Sequence, residues 1–336
     1  MIKFSEYFEN WLYSDDGYYA NYKIIGKDGD FFTAVSTSKF FGGTIAKRLI
    51  ETINSGFLPK DTTIVEIGAH HGYLLADIIQ FIYTLEPQLL ETLNFVIVER
   101  FDTLQQKQKE YFQASFGDVI NLKHYNSLDE LKLKDAFIVA NEIFDAFSCE
   151  LVYTKDGVLN QAFVDDDKIV WQECKDKELI DTCETNHITK GEIPIGFKSF
   201  AKALSDSIDK FEFVTFDYGD EYPRNDFSCR VYQKHNVYPI FDEDIKLKEL
   251  YKKTDITFDV NFSYLINCFK AIGIENIVYE TQLKALVRFG ITDLLEILHN
   301  KADEKTYLRE TNKVKTLLEP TGMGDRFKAA IFRKGK

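Results

Sequence analysis

Val65-Glu66-Ile67-Gly68-Ala69-His70-His71-Gly72 is the stretch on which the architecture turns. Residues 62–67 are mostly β-branched or apolar and predict a buried strand. Beyond the stretch, Leu74, Leu75, Ile78, Ile79 and Ile82 recur at helical spacing. A strand that passes through glycines directly into a helix leaves backbone N–H groups facing the space above the sheet edge. A nucleotide-like ligand can approach closely there. Tight geometry alone also produces such turns, so support must come from the rest of the chain.

Outward from the turn the same pattern repeats. Residues 94–98 predict a second strand ending at Glu99, and 101–112 a polar helix. Residues 136–140 predict a third buried strand ending at Asn141 and Glu142, and 211–216 another ending at Asp217, Tyr218 and Gly219. Strands alternating with helices imply a parallel sheet, an α/β Rossmann-like fold with helices on both faces. Later elements are a helix at 261–272, a strand at 275–281, a helix at 283–298 and a last strand at 327–332. Residues 1–13 form an amphipathic helix, an aromatic, glycine-punctuated loop runs to Thr33, and 40–53 form a helix. Between Glu150 and Trp171, short alternating runs broken by Lys155-Asp156-Gly157 and Asp165-Asp166-Asp167 predict hairpins. The expected organisation is one domain over residues 1–336. It has an N-terminal helical cap or lid (1–60), a ligand-binding core (61–150), a β-hairpin insertion (150–200) and the rest of the sheet with a helical insertion (205–336).

A net charge of −13 lacks the electrostatic footprint of a phosphate-backbone binder, so nucleic acid is not an expected partner. Cys149, Cys174, Cys183, Cys229 and Cys268 form no C-x-x-C pair and read as reduced, scattered thiols. His70 and His71 lack a third ligand at suitable spacing, so no metal is expected. No apolar run approaches a membrane span and the first residues are not a secretory signal, so a cytoplasmic protein is expected.

The acids at strand ends carry the candidate chemistry. Glu99 suits the 2′,3′-diol of a ribose, although its distance from the glycine turn exceeds that of the dinucleotide fingerprint and the segment around Glu86 to Glu91 must absorb the excess. Asn141, Glu142 and Asp145 gather an amide and two carboxylates at one edge of the ligand crevice, where charge-assisted hydrogen bonds can grip a guanidinium. Helix capping by Asn141 or Asp145, and a simple turn at Asp217-Tyr218-Gly219, are the alternatives.

Taken in order, Gly17-Tyr18-Tyr19, Gly29-Asp30-Phe31 with Thr33, Phe41-Gly42, Glu66-Ile67-Gly68, Asn141-Glu142-Ile143-Phe144-Asp145-Ala146, Asp217-Tyr218-Gly219, Asp255-Ile256-Thr257, Thr281-Gln282, Gly290-Ile291 and Glu319-Pro320 with Met323-Gly324 resemble the MidA-like family. These are relatives of the mitochondrial complex I assembly methyltransferase, and the resemblance runs almost the whole chain. It implies a class I fold binding S-adenosyl-L-methionine and methylation of arginine in a protein substrate, a respiratory complex I subunit in the best-understood relatives. On this resemblance Glu66, Gly68, His70, Gly72, Glu99 and Asn141 bind the cofactor. Glu142 and Asp145 are catalytic, and Gly29, Asp30, Thr33, Asp217 and Tyr218 belong to the lid and substrate side. The chain departs from the family pattern at His70, where relatives usually carry a glycine, and at Val35, Ser36, Gly43, Ala69 and Asn261. The His70 departure motivates the alternative of a non-catalytic assembly or scaffold protein. A nicotinamide-dependent oxidoreductase on the same sheet lacks its fingerprint.

Overall fold

The computed structural model describes residues 1–20, 33–233, 236–243 and 245–335. Gly29, Asp30 and Phe31 of the expected lid lie outside the described residues.

The central sheet contains β1 (Thr63–Ile67), β2 (Asn94–Val98), β3 (Leu122–Tyr125), β4 (Leu133–Asn141), β5 (Ile208–Asp220), β6 (Glu275–Thr281) and β7 (Phe327–Lys334). Its order is β3-β2-β1-β4-β5-β7-β6, with the two-residue strand Val260–Asn261 parallel to the end of β5. β1 to β5 pair in parallel. The expectation of a wholly parallel sheet fails at β7, which runs antiparallel to both β5 and β6. The chain leaves the helix Glu304–Leu318 and enters the gap between those strands from the opposite end.

Side chains along a strand point alternately to the two faces, and both faces here are covered. Ile64, Phe137, Val139, Val214 and Phe216 face one core, which they share with the helices Phe40–Asn54 and Tyr73–Leu85. Val65, Ala136, Ile138, Ala140 and Phe213 face the other, against the helices Phe197–Ser207 and Phe262–Ala271. Helices on both faces are therefore as expected. The helix expected over 283–298 is two helices, Gln282–Arg288 and Ile291–Lys301, because Gly290 between them takes a left-handed φ of 84°. Among the described residues, no helix is long and apolar enough to cross a membrane.

A further layer sits beside the sheet. Strands Cys149–Lys155, Val158–Asp165 and Lys168–Glu173 form the expected hairpins, extended by Lys190–Pro194, and Ile2–Lys3 pairs with Val158–Asp165. A second small sheet is built from Arg230–Gln233, Asn236–Pro239 and Asp255–Thr257. The N-terminal helix Phe4–Tyr13 buries Phe4, Tyr7, Phe8, Trp11 and Leu12 against these inserted strands. Trp11 Nε1 donates to the carbonyl of Thr254 at 2.7 Å and Tyr13 Oη to that of Ala146 at 2.9 Å.

Candidate active site

A cavity of about 1150 Å³ opens at the C-terminal ends of β1, β2 and β4, where ligand crevices of open α/β sheets lie. It exceeds the roughly 300–1,000 Å³ usual for one small ligand. Its walls therefore have room for a cofactor and an entering side chain together.

Gly68, Ala69, His70 and His71 form one wall. Gly68 has φ 69°, and a Cβ there would come within 3.0 Å of Ile143 Cγ2. His70 has φ 47°, so the histidine takes the left-handed backbone that a glycine would adopt freely, at roughly 1–2 kcal/mol of strain. The turn keeps its shape, and Gln108 Nε2 donates to the His70 carbonyl at 2.9 Å. Burial, then the neighbouring His71, lowers the His70 pKa to about 3, so the ring is neutral. Gly72, also expected in the cofactor set, shapes the turn from behind it. It stands outside the cavity wall, starts the helix Tyr73–Leu85 with φ 77°, and packs where a Cβ would meet Phe112 at 3.0 Å.

Glu66 spans from strand to helix: its buried carboxylate accepts from the Leu75 amide at 3.0 Å while still reaching the cavity. Glu99 directly follows β2, lines the cavity and accepts from the Phe101 amide at 3.2 Å. The excess length before it is taken up by the short helical turn Pro87–Glu91. Beside Glu99, Val98, Phe101, Leu104 and Leu128 make an apolar stretch of wall.

The acidic turn after β4 is the most constrained part of the site. Glu142 stands at φ 54°, a strained conformation for a side chain of this kind, and strain of this sort gathers at functional positions. Its amide donates to the Phe216 carbonyl at 2.8 Å, and its carboxylate accepts from Asn141 Nδ2 at 2.7 Å. Neither Asn141 nor Asp145 caps a regular helix; Asp145 lies inside the single turn Phe144–Ala146. Asp217, expected on the substrate side, instead turns into the protein. One oxygen accepts from the amides of Phe144 and Asp145 at 2.9 and 3.3 Å, and the other from the Tyr218 amide at 2.9 Å. Tyr218 lines the cavity and donates its hydroxyl to Asp145 Oδ2. Asp145 Oδ1 and Asn141 Oδ1 are buried and have no hydrogen-bond partner among the described residues.

Burial dominates the electrostatics. It pushes the carboxyls of Glu66 and Glu142 up to about 8 and of Glu99 up to about 7. Asp145 and Asp217 are raised by burial too; the Tyr218 hydroxyl partly offsets this for Asp145, while the Asp145 charge adds to it for Asp217. A carboxyl whose folded pKa lies above its unfolded value keeps a proton the unfolded chain has released. The resulting stability is complete below the unfolded pKa and is lost as pH rises through the folded one. His70 and His124, lowered to about 3 and about 4 by burial, are neutral in both states above about pH 7.5. The ligand-free protein should therefore melt at progressively lower temperature from about pH 7.5 to about pH 9, and Glu142→Gln should flatten the slope. Melting curves that are level over this range, or equally steep in the variant, would contradict this.

Thr33 and the remaining walls complete the cavity. Thr33 lines it and caps Ala34–Thr37 by accepting from the Ser36 amide at 3.1 Å. Glu319 and Met323, of the C-terminal motif that carried no role in the sequence, line the cavity beside this helix, with Thr37 Oγ1 at 4.0 Å from Met323 Sδ. Tyr13, Tyr19, Asp255 and Thr257 close the side next to the inserted strands, with the Tyr19 hydroxyl donating to Asp255 at 3.0 Å. Of these, Tyr19 and Asp255-Ile256-Thr257 stood in the ordered motif series, which was the available signal. Asn126 and Ser127 had none, because the strand β3 before them is short and mostly polar.

Residues 44–279, well over half the chain, match the model of a family described as S-adenosyl-L-methionine-dependent methyltransferases. The chain belongs to this family. The mitochondrial protein arginine methyltransferase NDUFAF7 of Rattus norvegicus is 22% identical over 351 residues, spanning 93% of this chain and 76% of that protein. The Drosophila melanogaster homolog is 23% identical over 164 residues, 44% of this chain and only 38% of the fly protein. A crystal structure of a Burkholderia thailandensis protein bound to S-adenosyl-homocysteine superposes with a TM-score of 0.84 at 22% identity, covering 99% of this chain and 88% of that one. The fold is that of class I methyltransferases, and the family's cofactor is S-adenosyl-L-methionine.

The residues present fit that cofactor. Gly68 allows close backbone approach, and the Glu99 carboxylate can accept from ribose hydroxyls. The apolar wall beside Glu99 can cover a base, and the unpartnered Asn141 Oδ1 offers an acceptor to a ligand N–H group. His70 leaves the backbone path of the turn as a glycine would, so the family departure at this position does not close the cavity.

Proposed function

We propose that this family member transfers a methyl group to the guanidinium of an arginine in a protein substrate, with Glu142 and Asp145 as the catalytic carboxylates. The observation that carries the reading is the Glu142–Asp145 turn. The half-buried Glu142 and the buried Asp145 carboxyls stand in the wall of a cavity large enough for cofactor and side chain, and one Asp145 oxygen has no hydrogen-bond partner among the described residues. A guanidinium satisfies both acids through charge-assisted, geometrically specific hydrogen bonds. S-Adenosyl-L-methionine, when bound, supplies a methyl group on a sulfonium that departs as a neutral thioether.

The protein's part is alignment and proton handling. Glu142 and Asp145 hold the guanidinium so that one nitrogen faces the cofactor side of the cavity. The entering cation favours the ionised form of Glu142, and as the nitrogen gains a methyl group it loses a proton, which that carboxylate, raised to about 8 in the free protein, is suited to accept. Thr33 and the 320–324 turn narrow the cavity and limit water. The expected role of Gly68, Glu99 and Asn141 in holding the cofactor, and of Thr33 and Tyr218 on the substrate side, forms part of this reading.

Calorimetry with S-adenosyl-homocysteine should give a measurable heat that is lost in Gly68→Val. Incubation of candidate proteins with isotopically labelled S-adenosyl-L-methionine, followed by mass spectrometry, should then place the label on arginine. Respiratory complex I subunits, the substrates that the family resemblance implies, are the first candidates. Cofactor binding with label on lysine, histidine or a carboxylate would overturn the arginine assignment. No heat with either cofactor form would favour the scaffold alternative.

A further inference from the structure

Arg230 begins the inserted strand Arg230–Gln233, behind the cavity wall. Its buried guanidinium lies 4.6 Å from the centroid of the Tyr218 ring. Nη1 pairs with Asp259 Oδ1 at 2.6 Å and donates to the Ser228 carbonyl at 3.0 Å, while Nε donates to the Tyr232 hydroxyl at 3.0 Å. Nη2 is buried and has no hydrogen-bond partner among the described residues. The weakly hydrated, planar guanidinium tolerates such burial and stacks on aromatic faces, which a lysine ammonium does not reproduce.

The tyrosine under this cation is the one whose hydroxyl donates to Asp145. Arg230, Tyr218 and Asp145 thus form a chain running from the inserted sheet to the cavity wall. We propose that Arg230 is a positioning residue for methyl transfer: acting through Tyr218, it holds Asp145 in the orientation and charge that receive the substrate's guanidinium. This rests on the arginine reading given above and adds to it a contribution from outside the methyltransferase sheet.

The surroundings of Asp145 show why a cation is needed. Glu142 faces it from the same turn, and Asp217 from β5. Tyr13 and Tyr19 approach from the N-terminal segment, and Asp259 lies beyond Arg230. Burial and then the Asp259 charge disfavour the charged form of Asp145, whose own charge in turn raises Glu142 and Asp217, and Arg230 supplies the opposing field. Arg326 also approaches the Tyr218 ring, at 6.0 Å, but is exposed to solvent, where its field is screened.

The test compares wild type with Arg230→Gln, Arg230→Lys and Tyr218→Phe. Each protein is first titrated with S-adenosyl-homocysteine. Saturated with it, each is then titrated with Nα-acetyl-arginine amide from about pH 5.5 to about pH 8.5. Cofactor-product affinity should stay within about twofold. Probe affinity near neutrality should fall about tenfold in Arg230→Gln and Tyr218→Phe, and the midpoint of its pH profile should rise by about one unit. Arg230→Lys should lie between, keeping charge without the stack. Wild-type profiles in all three variants would overturn this inference alone. Wild type that binds the cofactor product but never the probe would overturn the arginine reading, and this inference with it. If Arg230→Gln loses cofactor binding through misfolding, Tyr218→Phe, which removes a single oxygen, decides.

Discussion

Glu142→Gln should lower methyl transfer by about a hundredfold to a thousandfold while S-adenosyl-homocysteine binds nearly as in wild type. The substitution is isosteric, and the amide oxygen can still accept from Asn141 Nδ2 as the carboxylate does at 2.7 Å. In the ligand-free protein the half-buried Glu142 carboxyl, pushed up to about 8, already carries a proton at neutral pH, so glutamine imitates its resting form. The lost capacity is the negative charge that appears when a cation enters the site and the proton that charge can take away. Turnover therefore falls without a matching fall in cofactor affinity or melting temperature. Single-turnover kinetics with labelled cofactor, once a substrate is in hand, check the first part and calorimetry the second. Equal losses in binding and turnover would show that Glu142 serves the cofactor and not the substrate.

Gly219→Ala should destabilise the fold by roughly 3 kcal/mol or more. Gly219 is at φ 157°, opposite Val260 in the parallel pair between β5 and the strand Val260–Asn261. A Cβ there would lie 2.1 Å from the Val260 carbonyl oxygen and 2.7 Å from its amide nitrogen. Backbone atoms cannot rotate aside as a side chain does, so the strand pair must separate. Val260 is preceded by Asp259, the partner of Arg230, and followed by the helix that buries Phe262, Leu265 and Phe269. Separation therefore loosens both an ion pair and a core helix. Chemical denaturation of the variant measures the loss, and a midpoint unchanged from wild type would mean that the pair relaxes freely.

The parts of this molecule legible from sequence are those whose physical signals are local. β1, its glycine turn and the following helix announce themselves through periodicity and glycine. Glu99, Asn141 and Glu142 follow because ligand sites of such sheets lie at strand ends. Signals that depend on distant partners were not legible. β3, with the sequence Leu122-Lys123-His124-Tyr125, is a half-exposed edge strand without an apolar face. The helix Glu304–Leu318 buries only Val314 and Leu317, too few for a stripe. The direction of β7 depends on a gap left between two other strands. Asp217 reads like any acid at a strand end, and only the fold shows that it holds the amides of Phe144 and Asp145. Arg230 is an isolated basic residue in the sequence. Its meaning arises from Tyr218 and Asp259, which other segments bring to it.

The N-terminal helix has a bearing on how the molecule comes into being. Trp11 is anchored to Thr254, which lies 243 residues later in the chain. Contacts across such a separation form slowly, because a long loop must close before any burial rewards it. During synthesis the apolar face of residues 4–13 therefore gains its first cover from the strands at 149–165 and is closed only after Thr254 and the strand Asp255–Thr257 have been made. The expected order of assembly puts the side of the cavity formed by Tyr13 and Asp255 among the last parts to close. A growing chain would expose this helix to chaperones long before it could admit a substrate.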